Sequence, residues 1–205
     1  MRQTGPMTSS RSLCVYCGSG NGSDPAFKSA AIELGVALAR NKIRLVYGGG
    51  NVGLMGTIAR TVIDNGGLVT GIIPEFLKAR EVMFADADET IVVPDMHTRK
   101  MLMFEKSDGF IALPGGVGTL EELVEQLTWS QLGRHKKPIM LANINGFWDP
   151  LLTLFDHMRD FHFIRAEFEV TYKTFGTISS LTEFANSYFA TRDKAAHPKE
   201  IIAKL

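Results

Sequence analysis

Short apolar runs alternate with longer amphipathic stretches along most of the chain. The runs are nearly continuous, as is typical of parallel strands that are covered on both faces. They predict strands at 12–17, 43–47, 68–73, 91–93, 109–113 and 138–142. The stretches between them carry apolar residues at helical spacing. They predict helices at 25–40, 53–65, 95–107, 118–132, 147–160 and 180–191, with a short helix and an edge strand within 161–176.

The regular alternation of strand and helix indicates the fold class. It predicts an α/β protein with a doubly wound, Rossmann-like parallel sheet and helices on both faces. We expect a single nucleotide-binding domain over 12–191, after a disordered leader at 1–11 and before a polar C-terminal tail at 192–205. Ligands of such folds bind beyond the carboxyl ends of the strands. The residues that directly follow the strands are therefore the first candidates for a site.

Charge and length exclude some classes of protein. The 205 residues include 22 Lys and Arg against 22 Asp and Glu, so the formal net charge is zero. This balance argues against a general nucleic-acid binder, which needs a basic surface. No apolar run reaches the roughly 18 residues that span a bilayer, and the first residues lack the apolar core of a signal peptide. We expect a cytoplasmic protein with no membrane or nucleic-acid partner.

Two cysteines, Cys14 and Cys17, have the spacing C-x-x-C. A redox pair of this spacing opens a helix, whereas these residues lie inside an apolar strand-like run. Residues three apart on a strand point to opposite faces, so the two sulfurs should diverge. Two ligands alone also cannot complete a zinc site. We expect two buried thiols that act as small hydrophobic side chains.

Three glycine-rich loops follow predicted strands. The first loop is 17–23 (CGSGNGS), the second is 48–53 (GGGNVG) and the third is 114–119 (PGGVGT). Glycine lets backbone N–H groups approach a ligand closely. A helix that begins directly after such a loop presents unpaired N–H groups and a partial positive charge, which suits phosphate. Three such loops at one edge of a sheet therefore favour an anionic ligand.

The second loop also fits a different function. Gly48, Gly50 and Gly53 match G-x-G-x-x-G, and Glu75 follows the next strand where a ribose-binding carboxylate would stand. Taken alone, this pattern suggests a nicotinamide-dependent oxidoreductase. The motif has many chance matches, and the chain has no evident substrate domain. The nicotinamide enzyme stays open as an alternative.

The third loop runs directly into an amphipathic helix. Its buried stripe is predicted to consist of Leu120, Leu123, Val124 and Leu127. Glu122 lies nearly opposite this stripe, one turn after the loop, so its carboxylate can stand beside the anion pocket. The glutamates at 121 and 125 have a simpler interpretation, because acidic residues near a helix start complement the helix dipole.

A pair of cations stands at another helix start. Asp95 is a candidate N-cap after Pro94, and Arg99 and Lys100 follow within two turns. The helix dipole disfavours positive charge there, so an anionic ligand could supply the compensation. A solvated face with acidic neighbours is the alternative. His97 is more typical of a structural group than of a catalytic base.

These motifs together resemble one family. The runs PGGVGTLEE at 114–122, YGGGNVGLMG at 47–56 and DMHTRK at 95–100 are similar to the motifs of the LOG ("lonely guy") family of cytokinin riboside 5′-monophosphate phosphoribohydrolases. Many members carry an older lysine decarboxylase label. The resemblance covers roughly residues 12–190, and its three motifs occur in the expected order.

The resemblance implies a Rossmann-like homodimer that hydrolyses the N-glycosidic bond of an N6-modified adenosine monophosphate, without cofactor or metal. It implies Arg99 and Glu122 as the catalytic pair. The contacts with the nucleoside 5′-monophosphate implied by matching positions or expected in the glycine loops are Gly18, Ser19, Gly48, Gly49, Met55, Glu81, Lys100, Gly115, Gly116, Val117, Gly118, Thr119, Leu120, Glu121 and Thr128. Glu81 is the least secure of them, because no fixed motif surrounds it.

Two features of the helices favour the homodimer independently. Trp129 is predicted on the same face as Glu122, away from the buried stripe, and the apolar run 101–104 covers too many directions for one core face. Aromatic residues are enriched at subunit contacts. The alternative is that 161–176 folds back over this surface within one chain. A further alternative for the whole protein is a non-catalytic nucleotide or molybdenum-cofactor carrier, which would not need Glu122 with Arg99.

Overall fold

The computed structural model describes residues 11–78 and 87–196. In these residues seven parallel strands form one sheet in the order β4-β3-β2-β1-β5-β6-β7. The strands are β1 (Ser12–Tyr16), β2 (Arg44–Tyr47), β3 (Val69–Pro74), β4 (Glu89–Val93), β5 (Phe110–Ala112), β6 (Ile139–Ala142) and β7 (Lys173–Phe175). The doubly wound α/β fold predicted from the sequence is confirmed.

The helices connect these strands. They are α1 (Pro25–Arg40), α2 (Gly53–Asp64), α3 (Met96–Glu105), α4 (Val117–Gln131), α5 (Asp149–Asp160) and α6 (Ile178–Ala196). Short 3-10 helices lie at Glu75–Leu77, Ile144–Gly146 and Ala166–Phe168. The segment 161–176 therefore has the predicted short helix and edge strand. Helix α6 continues beyond its predicted end at 191, so the first part of the predicted tail is helical.

Side chains at the helix starts explain two of these boundaries. Asp24 caps α1 by accepting a hydrogen bond from the Ala26 amide at 2.8 Å, and Pro25 occupies the first helical position. Asp95 caps α3 by accepting from the Thr98 amide at 2.8 Å, as predicted. Both caps pair N–H groups that a helix start otherwise leaves unpaired. The cap on α3 fixes where Arg99 leaves the helix.

Two hydrophobic cores cover the two faces of the sheet. One face packs against α1, α2 and α6, with Leu34, Ile58 and Phe189 among its buried residues. The other face packs against α3, α4 and α5, with Met103 and Leu123 among its buried residues. Because β1 lies between β2 and β5, the chain reverses direction across the sheet at the β1–β5 pair. This is the place where doubly wound folds open a crevice for a ligand.

The cysteines behave as the sequence predicts. Cys14 on β1 belongs to one core and Cys17, directly after β1, belongs to the other, so their side chains lie on opposite faces of the sheet. Both thiols are free and buried, and burial raises the pKa of each far above its ordinary value. A high pKa suppresses the thiolate that redox chemistry requires.

None of the helices formed by the described residues has the length and hydropathy that crossing a bilayer requires.

His135 is a buried ionisable side chain between α4 and β6. Its ring lies against Phe104 and Phe110, with ring centroids 5.4 and 5.6 Å away. Nδ1 accepts a hydrogen bond from the Lys137 amide, and Nε2 donates to the Gln126 carbonyl, each at 3.2 Å. This pattern holds the neutral ring. Burial lowers the pKa of His135, although the hydrogen bond to Gln126 opposes the shift.

We expect acid to destabilise the fold through His135. The unfolded chain takes up this proton near pH 6.5, while the folded chain resists it, so the stabilisation is present above that pH and is lost as the pH falls below it. The free energy of unfolding in urea should fall between pH 7.5 and 5.5. His135→Gln keeps an acceptor and a donor and should remove much of this fall. The same slope in His135→Gln and in the exposed control His157→Gln would contradict the assignment.

Candidate active site

A cavity of about 280 Å³ opens at the carboxyl ends of the strands, beside the β1–β5 crevice. The first loop, the start of α4 and one side of α3 enclose it, and a methionine of α2 completes the wall. Its lining residues are Cys17, Gly18, Ser19, Met55, Met96, Arg99, Gly116, Val117, Gly118, Thr119, Glu121 and Glu122. We call this space the catalytic cavity. It brings together the first loop, the third loop and the predicted catalytic pair.

The start of α4 faces the catalytic cavity with unpaired N–H groups. The N-cap, Gly116, has no side chain to accept a hydrogen bond. The amides of Val117, Gly118 and Thr119 make no hydrogen bond to any of the described residues. Unpaired amides at the positive end of a helix dipole attract an anion. The third loop thus has the properties of a phosphate site.

The start of α2 is different, although it also follows a glycine loop. The Leu54 amide donates to the carbonyls of Gly18 and Gly20 at 3.1 and 3.3 Å, and the Met55 amide donates to Gly18 at 3.3 Å. Gly53 has a φ of +61°, and a Cβ there would collide with the backbone of Ser19. The first loop therefore already occupies the amides that a dinucleotide phosphate would need.

The carboxylate of the nicotinamide alternative is also misplaced. Glu75 lies on a 3-10 helix and pairs with Lys78 at 3.2 Å, and its side chain is 67% exposed. Together with the occupied α2 start, this placement argues against the G-x-G-x-x-G pattern as a dinucleotide site. The second loop instead contacts Arg99, through Gly48.

Arg99 is the buried charge of the site, with 6% of the residue exposed. Its Nε donates to the Ile72 carbonyl and its Nη2 donates to the Gly48 carbonyl, both at 3.1 Å. The Ile72 carbonyl belongs to β3, and the Gly48 carbonyl belongs to the residue after β2. The remaining nitrogen, Nη1, lies 3.7 Å from Oε1 of Glu122 and 3.8 Å from the Met96 sulfur.

Glu122 stands between this cation and the phosphate loop. Its side chain is 12% exposed and lines the catalytic cavity one turn after Gly118. A carboxylate so far from water needs a neighbouring cation, and Arg99 supplies it. The pair therefore places a negative charge at the cavity wall and holds it there. Such a charge can stabilise a positive centre or accept a proton from water.

Lys100 lies beside the catalytic cavity without lining it, and carboxylates of α4 hold its side chain. Its Nζ pairs with Glu121 at 2.6 Å and with Glu125 at 3.0 Å. Burial alone would lower the pKa of Lys100, but the hydrogen bonds with the two glutamates raise it above its ordinary value. The carboxylates of α4 thus compensate both cations at the start of α3. An anionic ligand, one of the two interpretations that the sequence left open, is therefore not required for this compensation.

The structure separates the predicted contact residues into three groups. Those that line the catalytic cavity are Gly18, Ser19, Met55, Arg99, Gly116, Val117, Gly118, Thr119, Glu121 and Glu122. Those that lie elsewhere are Gly48, Gly49, Lys100, Gly115, Leu120 and Thr128. Glu81 lies outside the described residues. Two further lining residues, Cys17 and Met96, were not among the predicted contacts. The available signals were the place of Cys17 at the start of the first loop and that of Met96 one turn before Arg99.

The face of α4 also differs from the prediction. Val124 is 39% exposed, whereas Thr119 and Gln126 are buried beside Leu123 and Leu127. Helical periodicity identified an apolar face but placed its centre too near Val124.

Trp129 has more cover within the chain than predicted. Its ring meets Phe104 edge to face at 5.2 Å, and the Arg134 guanidinium lies 4.4 Å from its centroid. The Phe168 carbonyl accepts a hydrogen bond from Gln131, so part of 161–176 does lie beside the end of α4. Trp129 by itself therefore no longer argues for a partner subunit.

Comparisons with known proteins agree on one family. A family model described as "possible lysine decarboxylase" matches residues 55–183. The chain is 53% identical over 155 residues to the probable cytokinin riboside 5′-monophosphate phosphoribohydrolase LOGL1 of Oryza sativa subsp. japonica, covering 76% of this chain and 70% of that protein. It is 43% identical over 187 residues to the cytokinin riboside 5′-monophosphate phosphoribohydrolase LOG1 of Arabidopsis thaliana, covering 91% and 88%.

Solved structures share the fold at lower identity. The molybdenum cofactor binding protein of Rippkaea orientalis superimposes with a TM-score of 0.66 at 23% identity, covering 89% of this chain and 99% of that one. The molybdenum cofactor carrier protein of Chlamydomonas reinhardtii gives 0.65 at 18% identity, covering 88% and 98%. Identities this low show that the fold is shared, and they do not identify the ligand of this chain.

The two glycine-led helix starts should respond differently to a methyl group. Gly53→Ala forces a left-handed residue, at about 1–2 kcal/mol, and also meets the Ser19 backbone. Gly118→Ala meets nothing within 4 Å and should change the free energy of unfolding by less than about 0.5 kcal/mol. Urea unfolding of both variants checks this. Equal losses would show that the first loop does not pack on α2 as described.

Proposed function

This chain belongs to the LOG family of cytokinin riboside 5′-monophosphate phosphoribohydrolases, and from this premise we propose that it hydrolyses N6-modified adenosine 5′-monophosphates. The products are the free base, a cytokinin or adenine, and ribose 5-phosphate. The proposal rests mainly on the ion pair of buried Arg99 with largely buried Glu122, beside the unpaired amides of α4. One element thus supplies both a phosphate site and a catalytic carboxylate.

The reaction needs positive charge at the sugar to be stabilised. As the bond from the anomeric carbon to the base nitrogen breaks, the ribose approaches an oxocarbenium ion. With the 5′-phosphate on the amides of Gly118 and Thr119, the carboxylate of Glu122 stabilises this ion and accepts a proton from the attacking water. The water oxygen bonds to the anomeric carbon as the bond to the base nitrogen breaks, one of its protons stays on the new hydroxyl, and the proton that Glu122 accepts is passed on to the departing base. Binding energy at the remote phosphate orients the sugar for this step.

The rest of the catalytic cavity suits a purine. Two thioethers, those of Met55 and Met96, form part of its wall, and Val117 is 84% exposed at its edge. Methionine is polarisable and adapts to the face of an aromatic ring. These side chains offer an apolar surface to the base.

Decarboxylation of lysine fits this site poorly. Pyridoxal phosphate chemistry requires a lysine that forms a Schiff base, and the attacking amine must be unprotonated. Lys100, the lysine beside the catalytic cavity, is held by two glutamates that raise its pKa. A carrier of molybdenum cofactor is the second candidate, suggested by the shared fold alone. The unpaired amides of α4 could bind a phosphate in a carrier as well, but a carrier would not need the carboxylate of Glu122 beside them.

The substrate class can be tested with three compounds. N6-isopentenyl-AMP and AMP should both release free base, whereas the riboside that lacks the phosphate should react at least about 10²-fold more slowly in kcat/KM. Chromatography of the released base measures each rate. Binding of the nucleotides without release of base would favour a carrier. Equal kcat/KM for riboside and nucleotide would show that the amides of α4 hold no phosphate.

Removing the charge of Glu122 should stop hydrolysis while the nucleotide still binds. In Glu122→Gln the side chain keeps its shape, so nucleotide affinity should stay within about tenfold while kcat falls on the order of 10³-fold or more. Calorimetric titration with AMP and the base-release assay measure the two effects. Glu105→Gln, on an exposed residue at the end of α3, is the matched control. Near-normal turnover in Glu122→Gln would remove this carboxylate from the mechanism.

We also propose that the protein forms a homodimer through α4. Val117, Val124 and Leu132 are 84%, 39% and 72% exposed and follow one another along this helix and its end at intervals of seven and eight residues. Two helical turns separate successive members, so they form one stripe that begins at the catalytic cavity. Phe168, 54% exposed, extends it beside Gln131. A second copy of the same stripe across a two-fold axis would cover this surface.

Sedimentation equilibrium at micromolar concentration tests the dimer. The wild type should sediment at twice 22.6 kDa, whereas Val124→Glu with Leu132→Glu should shift it toward the monomer because charge is costly at an interface centre. Ile32→Glu on α1, at a position 42% exposed, is the matched control and should stay dimeric. A wild type that sediments at 22.6 kDa would contradict the dimer, and an unchanged double variant would exclude this stripe.

A further inference from the structure

Gly48 touches the catalytic arginine rather than the catalytic cavity. Nη2 of Arg99 donates to its carbonyl at 3.1 Å. A Cβ at position 48 would overlap Nη2 and would lie 3.2 Å from the central carbon of the guanidinium. The space that a side chain would fill is therefore occupied by the guanidinium.

The backbone at position 48 does not itself require glycine. Gly48 is not in the left-handed region, unlike Gly49, whose φ is +81°. The tight contacts of a Cβ at 48 would be with the tip of Arg99, and the Met55 sulfur would lie at an ordinary 3.4 Å. Glycine therefore suits position 48 because a side chain there would overlap the Arg99 guanidinium.

The contacts of Arg99 divide into two sets. Nε and Nη2 donate to the carbonyls of Ile72 and Gly48, and Nη1, which also contacts the Met96 sulfur, lies 3.7 Å from the Glu122 carboxylate. Because the guanidinium is planar, two hydrogen bonds to a rigid backbone fix the direction of its third nitrogen. The phosphate amides of α4 form a separate set of donors. The cation is thus oriented by the sheet and directed at the carboxylate.

We propose that Gly48 is a positioning residue: by leaving its side-chain space empty, it seats the Arg99 guanidinium, and the seated cation aligns Glu122 for hydrolysis. The inference rests on the proposed function, and it gives Gly48 a task other than contact with the substrate. Displacement of the guanidinium should then impair catalysis and leave nucleotide binding intact. A misplacement of about 1 Å at a catalytic group costs on the order of 10²-fold in rate.

Gly48→Ala isolates this role, since the overlapping atoms belong to the end of a flexible side chain that can move. We expect a folded protein whose kcat falls on the order of 10²-fold while KM stays within about threefold. Gly176→Ala is the matched control, because a Cβ there meets nothing within 4 Å and its φ is not left-handed. It should keep wild-type kcat. A rise in KM with unchanged kcat in Gly48→Ala would overturn the proposal and place Gly48 in contact with substrate.

A double-mutant cycle shows whether Gly48 acts through Arg99. If it does, Gly48→Ala should cost almost nothing further in an Arg99→Ala background, because residues that act as one unit are not additive. Independent, multiplied losses would overturn the proposal.

Guanidinium rescue gives a readout that a structural defect would not produce. Guanidinium chloride at low concentration should restore part of the kcat of Arg99→Ala, since the ion can occupy the empty seat. It should restore none in Gly48→Ala/Arg99→Ala, where the methyl group fills that seat. Equal rescue of the two variants would show that the guanidinium does not bind in the space beside residue 48. A wild-type protein that binds these nucleotides and releases no base would instead reject the proposed function, so the two failures are distinguishable.

Discussion

The site depends on one constraint: the guanidinium of Arg99 is buried, so its N–H groups need partners within the protein in place of water. Two backbone carbonyls and one carboxylate meet this need, and they come from β3, from the residue after β2 and from α4. A charge in such surroundings is costly unless its partners are held in place. The same contacts that satisfy the charge therefore tie the sheet edge to two helices and set the position of Glu122.

The three glycine loops resemble one another in sequence and differ in what they do. The carbonyls of the first loop close the start of α2, the second loop makes room for a guanidinium, and the third leaves the amides of α4 open toward the catalytic cavity. Among the described residues, the third loop thus supports the proposed phosphate site, and the amides after the second loop are already paired. The atoms closest to the glycines differ accordingly: the Arg99 guanidinium at Gly48, the Ser19 backbone at Gly53 and the Thr119 side chain at Gly115.

Much of this could be predicted from the sequence, because strands and helices with buried faces impose periods that can be counted. The order of elements, the cap at Asp95 and the place of Glu122 after the third loop follow from local spacing. The contact of Gly48 with Arg99 could not be predicted, since it joins positions 51 residues apart. The pairing of Lys100 with Glu121 and Glu125 depends likewise on how α3 packs beside α4, which helical periodicity does not determine.

The central claim is that the amides of α4 hold the phosphate while Arg99 serves Glu122. A crystal structure of Glu122→Gln with uncleaved AMP tests it most directly. We predict phosphate oxygens within hydrogen-bond distance of the Gly118 and Thr119 amides, the anomeric carbon facing residue 122, and Arg99 still bound to the carbonyls of Gly48 and Ile72. A phosphate bound by the Arg99 guanidinium, or seated at the start of α2, would contradict the account.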